Sequence, residues 1–421
     1  MNVLSTLFTN KKILIYGLGK SGISTFKFLK KINKIYLFDD NKNFNSIDKI
    51  IKINFDAIIL SPGININKCK LKNYLNKNKN IIYTDLDIFK SFYSNECIAI
   101  TGTNGKSTTS KLLFEVLKNQ GYDVKLAGNI GYPILSVKNI KRKSIFVIEA
   151  SSYQLDYSKI FNSKYSVILN ISPDHLERHK TLSKYIKAKF NLIKNQKLNS
   201  IAFVNKHDLN INKFLKNKKF NSKIIKVNTK LKNKYLLTYK NNYFSTASNK
   251  ENLLFTLNII KYFKINKNIL KKTIINFKGL KYRQQLIYNK NNIEIINDSK
   301  STSYSSSIEM LKTSNKIYWI LGGIPKRGDK FNLPKVYCKN INAYTFGKST
   351  DKFLFDLKKK MKIKKCSNLK KALNEVFKDI FIDRSIKKTI LFSPAGASFD
   401  TFKNFEDRGL YFNKIIKKYY F

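Results

Sequence analysis

Acid, histidine and cysteine are all scarce in this sequence. Four cysteines, Cys69, Cys97, Cys338 and Cys366, stand far apart with no C-x-x-C pair, and there are three histidines. That set cannot assemble a zinc framework, and isolated thiols fit a reducing compartment. No run of 18 uncharged apolar residues occurs, and the opening MNVLSTLFTNKKILIYGLGKSG enters a strand and a glycine turn without a cleavable apolar region. Neither membrane insertion nor export is expected, which places the chain in the cytoplasm. Asp and Glu together number 27 against 81 Lys and Arg, a formal net charge of +54. Such a field attracts polyanions. The lysines are nevertheless spread over nearly every segment among Asn, Ile, Phe and Tyr, as a bias toward A/T-rich codons would leave them. No module gathers them, so no specific nucleic-acid partner is expected. The scarcity of acid also sharpens the reading of the few present: an acid at a strand end is less easily surface decoration here.

Apolar residues are plentiful, at 43% with 31 Phe and 24 Tyr, and 421 residues exceed what one core serves, so two or three domains are expected. Short β-branched and aromatic runs recur between helical stretches: KILIY (12–16), KIYLF (34–38), AIIL (57–60), CIAIT (97–101), IFVIE (145–149) and YSVILN (165–170). The pattern restarts at a glycine turn from Gly17, at a glycine loop from Gly102, and at IEIIND (293–298), followed by KIYWILGG, AYTFG and TILFSPAG. This alternation predicts an α/β protein of three domains, each with a mostly parallel sheet flanked by helices. The N-terminal one is Rossmann-like (1–90), the central one of phosphate-loop type (91–279) and the C-terminal one Rossmann-like (280–421). The Lys/Asn-rich stretch 205–222 reads as solvated loop.

Four motifs carry chemistry. Gly17-x-Gly19-x-x-Gly22 follows a strand, and Asp39 and Asp40 end the next. This suits a dinucleotide or simply a tight turn with a helix N-terminus open to phosphate. Thr101-Gly102-Thr103-Asn104-Gly105-Lys106-Ser107-Thr108-Thr109 again joins strand to helix. Its glycines let backbone wrap phosphate, Lys106 neutralises phosphate oxygens and Ser107 can hold Mg²⁺, although two residues, not the usual four, separate Gly102 from Gly105-Lys106. Glu149 closes IFVIE at a sheet edge, where a carboxylate suits Mg²⁺. Asp174-His175 follows YSVILNISP, at the end of another strand.

Taken together, TGTNGKSTT, LAGNIG (126–131), EASSYQL (149–155), NISPDHLERH (170–179), NDSKSTS (297–303) and SPAGASFDTFKNFEDRG (393–409) resemble, in order, the motifs of the muramyl ligases. The last segment and SPGI (61–64) resemble the D-glutamate-adding branch. The resemblance implies an ATP-dependent amide ligase that joins D-glutamate to UDP-N-acetylmuramoyl-L-alanine through an acyl phosphate, acting as a monomer. It implies that Lys20, Ser21, Asp39, Asp40, Ser61 and Gly63 line the uridine diphosphate site and that Asn129 and His175 reach the sugar-peptide end. ATP is expected on Thr103, Asn104, Gly105, Lys106, Ser107, Thr108 and Thr109, with Asn249 and Asn252 toward the base, Arg283 on the phosphates and Asp298 on the ribose. Ser107 and Glu149 match one Mg²⁺ site; His175 and Lys189, the latter as a carbamate, match a second. Lys300, Thr302, Lys326, Ser398 and Phe405 match the D-glutamate site. Lys106, His175, Lys189, Arg283 and Lys300 are the expected catalytic set. Where many relatives read Gly-Leu-Pro-His-Arg this chain has Gly279-Leu280-Lys281-Tyr282-Arg283, and Ser248 replaces a frequent His. Two alternatives stay open: a related ligase with another amino-acid acceptor, and a basic nucleotide-dependent nucleic-acid-binding protein.

Overall fold

The structure is a computed structural model that describes residues 3–42, 44–216, 218–230, 239–312, 315–326 and 328–420. It divides into two compact units, one of residues 1–240 and 250–275, the other of 241–249 and 276–421. The first unit holds two sheets. β1 (Lys12–Tyr16), β2 (Lys34–Phe38), β3 (Ala57–Leu60) and β4 (Ile82–Tyr83) form a parallel sheet in the order β2-β1-β3-β4. β5 (Cys97–Thr101), β6 (Val124–Gly128), β7 (Ile145–Glu149), β8 (Tyr165–Ile168), β9 (Ile201–Asn205) and β10 (Lys223–Val227) form a second parallel sheet, ordered β10-β9-β8-β5-β7-β6. The central strands CIAIT and IFVIE are buried at every position, as parallel strands covered on both faces must be. Lysines fall on the edge strand KIIKV, where they discourage further pairing.

The two sheets share one apolar core, which runs from Ile13, Ile15 and Ile59 through Leu86 and Phe89 to Ala99, Phe146 and Ile148. The expected boundary near residue 90 lies inside the helix Asp85–Phe92, which carries that core. One carboxylate fastens it. Asp87 is fully buried, and its Oδ1 accepts from Ser158 Oγ and from the amides of Lys159, Ile160 and Phe161 at 2.7–3.0 Å.

The second unit has one sheet of β11 (Gln285–Lys290), β12 (Ile293–Asn297), β13 (Lys316–Gly322), β14 (Ile341–Phe346), β15 (Lys362–Lys365) and β16 (Lys388–Ala395). Its order is β11-β12-β16-β13-β14-β15, parallel except for β11 against β12. Apolar clusters cover both faces. The expected α/β architecture with three mostly parallel sheets is what the chain adopts. One stretch differs: 205–222 is not all loop, because Asp208 caps the helix Leu209–Leu215 by accepting from Ile211 N at 2.9 Å, and Ile211 is buried. No helix among the described residues is long and apolar enough to cross a membrane.

Candidate active site

Strand order decides where the chemistry gathers. In an open parallel sheet ligands bind beyond the carboxyl ends of the strands, where the winding reverses. In the first sheet that point lies between β1 and β3. A cleft of about 520 Å³ opens there, and Lys20, Ser21, Asp39, Asp40, Ser61, Gly63 and Asn129 all line it. Its floor is the turn after β1. Gly17 has φ +92°, and a Cβ on Gly22 would lie 1.9 Å from the Gly17 carbonyl oxygen, so only glycine lets helix Lys20–Leu29 start so close to the strand. Ser61 Oγ donates to Gly17 O at 2.6 Å and Leu18 N donates to Asp39 Oδ2 at 2.7 Å, bracing the turn from both sides.

In the central sheet β5 lies between β7 and β8, which brings three strand ends together. The loop after β5 leads into helix Lys106–Asn119, with Gly105 as N-cap at φ +83°. A Cβ there would lie 2.2 Å from Asn252 Oδ1, the atom that also accepts from Thr109 Oγ1 at 3.2 Å. Asn104 N donates to Asn170 Oδ1 at 2.9 Å, and Thr103 Oγ1 lies 3.2 Å from the Tyr185 hydroxyl. Thr108 is buried on the first turn of the same helix. Lys106 Nζ curls back onto the carbonyls of Gly102 and Thr103, both at 2.8 Å. From the end of β7, buried Glu149 accepts from Ser107 Oγ at 2.5 Å and, on its other oxygen, from Asn129 Nδ2 at 3.0 Å. Asn129 also lines the cleft of the first sheet, so the two sites meet through it.

After β8 comes His175, in left-handed conformation at φ 55°, with Nδ1 2.7 Å from the Tyr153 hydroxyl. Lys189, on helix Leu182–Lys194, is 1% exposed and donates to Gly102 O at 2.7 Å. Burial, and then the charge of Lys106, pull its amine well below the ordinary lysine range.

These donors can be tested against the cations the resemblance implies. A carboxylate and a hydroxyl 2.5 Å apart beside a phosphate loop fit Mg²⁺, a hard cation that takes few protein ligands and completes its shell with water and phosphate oxygens. Among the described residues no group of three His, Cys, Asp or Glu could hold a metal alone, in keeping with such a shared site. His175 with Lys189 as a plain amine does not fit a hard cation; oxygen donors on that lysine would.

The second unit gathers its own set. Asp298 follows β12, and its Oδ1 accepts from Gln284 N at 3.1 Å and its Oδ2 from Ser393 Oγ at 3.0 Å. Burial raises its carboxyl to about 7, opposed by those hydrogen bonds and by Arg283. Gln284 Oε1 accepts from Asn249 Nδ2 at 2.7 Å, which joins Asn249 to the Arg283–Asp298 corner. Asn252 belongs to the first unit, where its side chain accepts from Thr109. Because β12, β16 and β13 are neighbours, the segments that follow them, bearing Lys300 and Thr302, Ser398, and Lys326, leave the same sheet edge. Lys300 Nζ sits 3.9 Å over the Phe405 ring, and Ser398 is buried. Tyr282, at the departure from the usual motif, has φ 61°, and its carbonyl accepts from Lys300 N at 3.0 Å.

Four residues that shape these sites carry no assigned role in the sequence: Tyr153, Arg178 and Arg408, which stand inside EASSYQL, NISPDHLERH and SPAGASFDTFKNFEDRG, and Tyr185. Arg408 is fully buried and donates to Ser299 O at 2.7 Å and Gly396 O at 3.0 Å, tying the loops after β12 and β16. A signal for the two arginines was available. The chain has six arginines among its 81 basic residues, so an arginine kept where lysine is the default marks a place that uses the planar guanidinium.

Comparison with known proteins places this arrangement. The Mur ligase middle domain matches residues 100–273. UDP-N-acetylmuramoylalanine–D-glutamate ligase of Rickettsia felis is 34% identical over 98% of each chain, and that of Buchnera aphidicola 35% identical over 98% of each. Among solved structures, MurF ligase from Thermotoga maritima in complex with ADP has a TM-score of 0.59 at 16% identity and covers all of both chains. MurC from the same organism scores 0.55 at 17% identity, covering 97% of this chain and 99% of that one. Identities that low show a shared fold, whereas the whole-length relatives above 30% show kinship, and the chain belongs to the UDP-N-acetylmuramoylalanine–D-glutamate ligase family of the Mur ligases.

Proposed function

We propose that this chain joins D-glutamate to UDP-N-acetylmuramoyl-L-alanine at the expense of ATP, in peptidoglycan precursor synthesis. The observation that carries the reading is whole-length kinship with D-glutamate ligases in a chain whose phosphate loop, Glu149, Asn129 and uridine-side cleft form one connected site. The rival with another acceptor finds no support in those relatives, and a nucleic-acid function finds no module to carry it.

A carboxylate does not condense with an amine in water unaided. Phosphorylation of the L-alanyl carboxylate by ATP gives an acyl phosphate, which the D-glutamate amine attacks with loss of phosphate. The work of the protein is positioning and charge neutralisation. The turn Gly17–Ser21 and the loop Ser61–Gly63 seat the uridine diphosphate, with Asp39 and Asp40 beside it. Lys106 leaves the Gly102 and Thr103 carbonyls to meet the transferring phosphate. Ser107 and Glu149 would hold one Mg²⁺, which when bound neutralises charge on the phosphate oxygens. His175 and Lys189 would hold the second, with Lys189 as a carbamate, since burial favours the neutral amine that reacts with CO₂ and only the product offers oxygens to a hard cation. On the family resemblance alone, Arg283, Asp298 and Asn249 of the second unit and Asn252 of the first serve the nucleotide. Lys300 and Lys326 orient the carboxylates of D-glutamate, with Thr302, Ser398 and Phe405 around them. We assign these roles to three domains, 1–90, 91–279 and 280–421, in a cytoplasmic monomer. Hydroxylamine added to enzyme, ATP, Mg²⁺ and UDP-N-acetylmuramoyl-L-alanine should trap the acyl phosphate as a hydroxamate; no hydroxamate under turnover conditions would contradict the mechanism.

A further inference from the structure

Two arginines are buried among the described residues, and they are used differently. Arg408 donates through Nε, Nη1 and Nη2 within its own unit. Arg178 is 8% exposed and bridges two parts of the active site. Its Nη1 donates to the carbonyl of Pro62, between Ser61 and Gly63 in the wall of the uridine-side cleft. Its guanidinium plane lies over Tyr153, 4.0 Å from the ring centroid, and the hydroxyl of that ring is 2.7 Å from His175 Nδ1. Its backbone is held as well: Arg178 N donates to His175 O at 3.1 Å, and Asn67 Nδ2 donates to Arg178 O at 3.5 Å. Nη2 is buried with no hydrogen-bond partner. A fold tolerates a buried unmatched donor where the rest of the group is fixed by other demands. Here those demands are stacking and bridging at once, which a lysine ammonium cannot meet.

We propose that Arg178 is a positioning residue of the ligation: it locks the Pro62 loop and the Tyr153–His175 pair into one frame. A substrate seated by its uridine diphosphate then presents its far carboxyl end at His175. The proposal rests on the function assigned above, and deepens it by naming what keeps the two ends of one extended substrate in register.

The test compares wild type, Arg178→Ala, Arg178→Lys and Tyr153→Phe as full chains. Calorimetric titration with UDP alone and with UDP-N-acetylmuramoyl-L-alanine is set beside steady-state kinetics. Both Arg178 variants should bind UDP as wild type does, bind the whole substrate more weakly and lose about 10- to 100-fold in turnover, the usual effect of removing a group that orients a ligand. Their KM values for ATP and D-glutamate should not move. Guanidinium ion should restore part of the turnover of Arg178→Ala and none of that of Lys106→Ala. Tyr153→Phe keeps the ring and loses the hydroxyl, and should lose turnover with UDP affinity intact, so the proposal stays testable if Arg178→Ala does not fold. Wild-type turnover in either folded Arg178 variant overturns it, and so does loss of UDP affinity in step with turnover, which would mark a purely structural arginine. D-Glutamate-dependent turnover of the wild-type chain is the control that separates failure of this proposal from failure of the assigned function.

Discussion

Lys106 and Lys189 donate to the same atom, the carbonyl oxygen of Gly102, at 2.8 and 2.7 Å. Burial drives the Lys189 amine toward neutrality, and the charge of Lys106 on the same acceptor adds to it. Burial beside a second cation thus sets up the chemistry expected of Lys189.

If Lys189 works as a carbamate, Lys189→Ala should lose about a hundredfold or more in turnover, as loss of a metal-orienting group does. Acetate or formate should return part of it by supplying the missing oxygens. Removal of CO₂ and bicarbonate should slow the wild type and leave the variant unchanged. Near-normal turnover of Lys189→Ala without additive contradicts the assignment.

Lys106→Ala should abolish the heat of ATP binding and cost at least about a hundredfold in turnover, because a preorganised charge on the transferring phosphate is removed. Titration with UDP-N-acetylmuramoyl-L-alanine should look unchanged, since the cleft after β1 and β3 does not include Lys106. Loss of that affinity in a folded variant would show that the two sites are not separable.

How much of this was legible in the sequence varies with the kind of interaction. Residues at strand ends were legible, because a buried apolar run followed by glycine or acid fixes both the strand and its exit. Glu149 and Lys106 stand where IFVIE and CIAIT put them. The antiparallel β11 was missed because QLIYNK is too polar to read as a strand, though Asn291 and Asn292, with φ of 51° and 58°, form the kind of turn that joins hairpins. The helix Leu209–Leu215 was hidden by lysine and asparagine around its cap. The roles of Tyr153, Tyr185 and Arg178 were not legible from spacing, since Tyr153 meets His175, Tyr185 meets Thr103 and Arg178 meets Pro62 and Tyr153 across distant segments. The core shared by the first two sheets likewise depends on long-range packing such as Phe89 on Phe146, at 4.7 Å between ring centroids.

Asp87 tests that shared core. Asp87→Ala strands two hydroxyls, of Thr84 and Ser158, and four amides, of Thr84, Lys159, Ile160 and Phe161, without their buried acceptor, and should destabilise the first unit by about 3 kcal/mol or more. Chemical denaturation followed by fluorescence measures it; an unchanged midpoint contradicts the clasp.

Asp298 gives a pH signature. Its carboxyl is raised by burial from 3.8 to about 7, so the folded state holds a proton that the unfolded chain has released. Its contribution to stability is therefore full below pH 3.8 and is lost as pH rises through about 7. Without nucleotide, the melting temperature of Asp298→Asn relative to wild type should climb as pH rises from 4 to about 7 and level off above it. A difference that does not vary with pH contradicts the buried, raised carboxyl.

Phosphate release from ATP, with Mg²⁺ and UDP-N-acetylmuramoyl-L-alanine present, is the most direct measurement of the assigned function when the acceptor is varied. The account predicts sustained release with D-glutamate, and little with L-glutamate, L-lysine, meso-diaminopimelate or no acceptor. Release that is equal with any of those amino acids, or independent of D-glutamate, would contradict it.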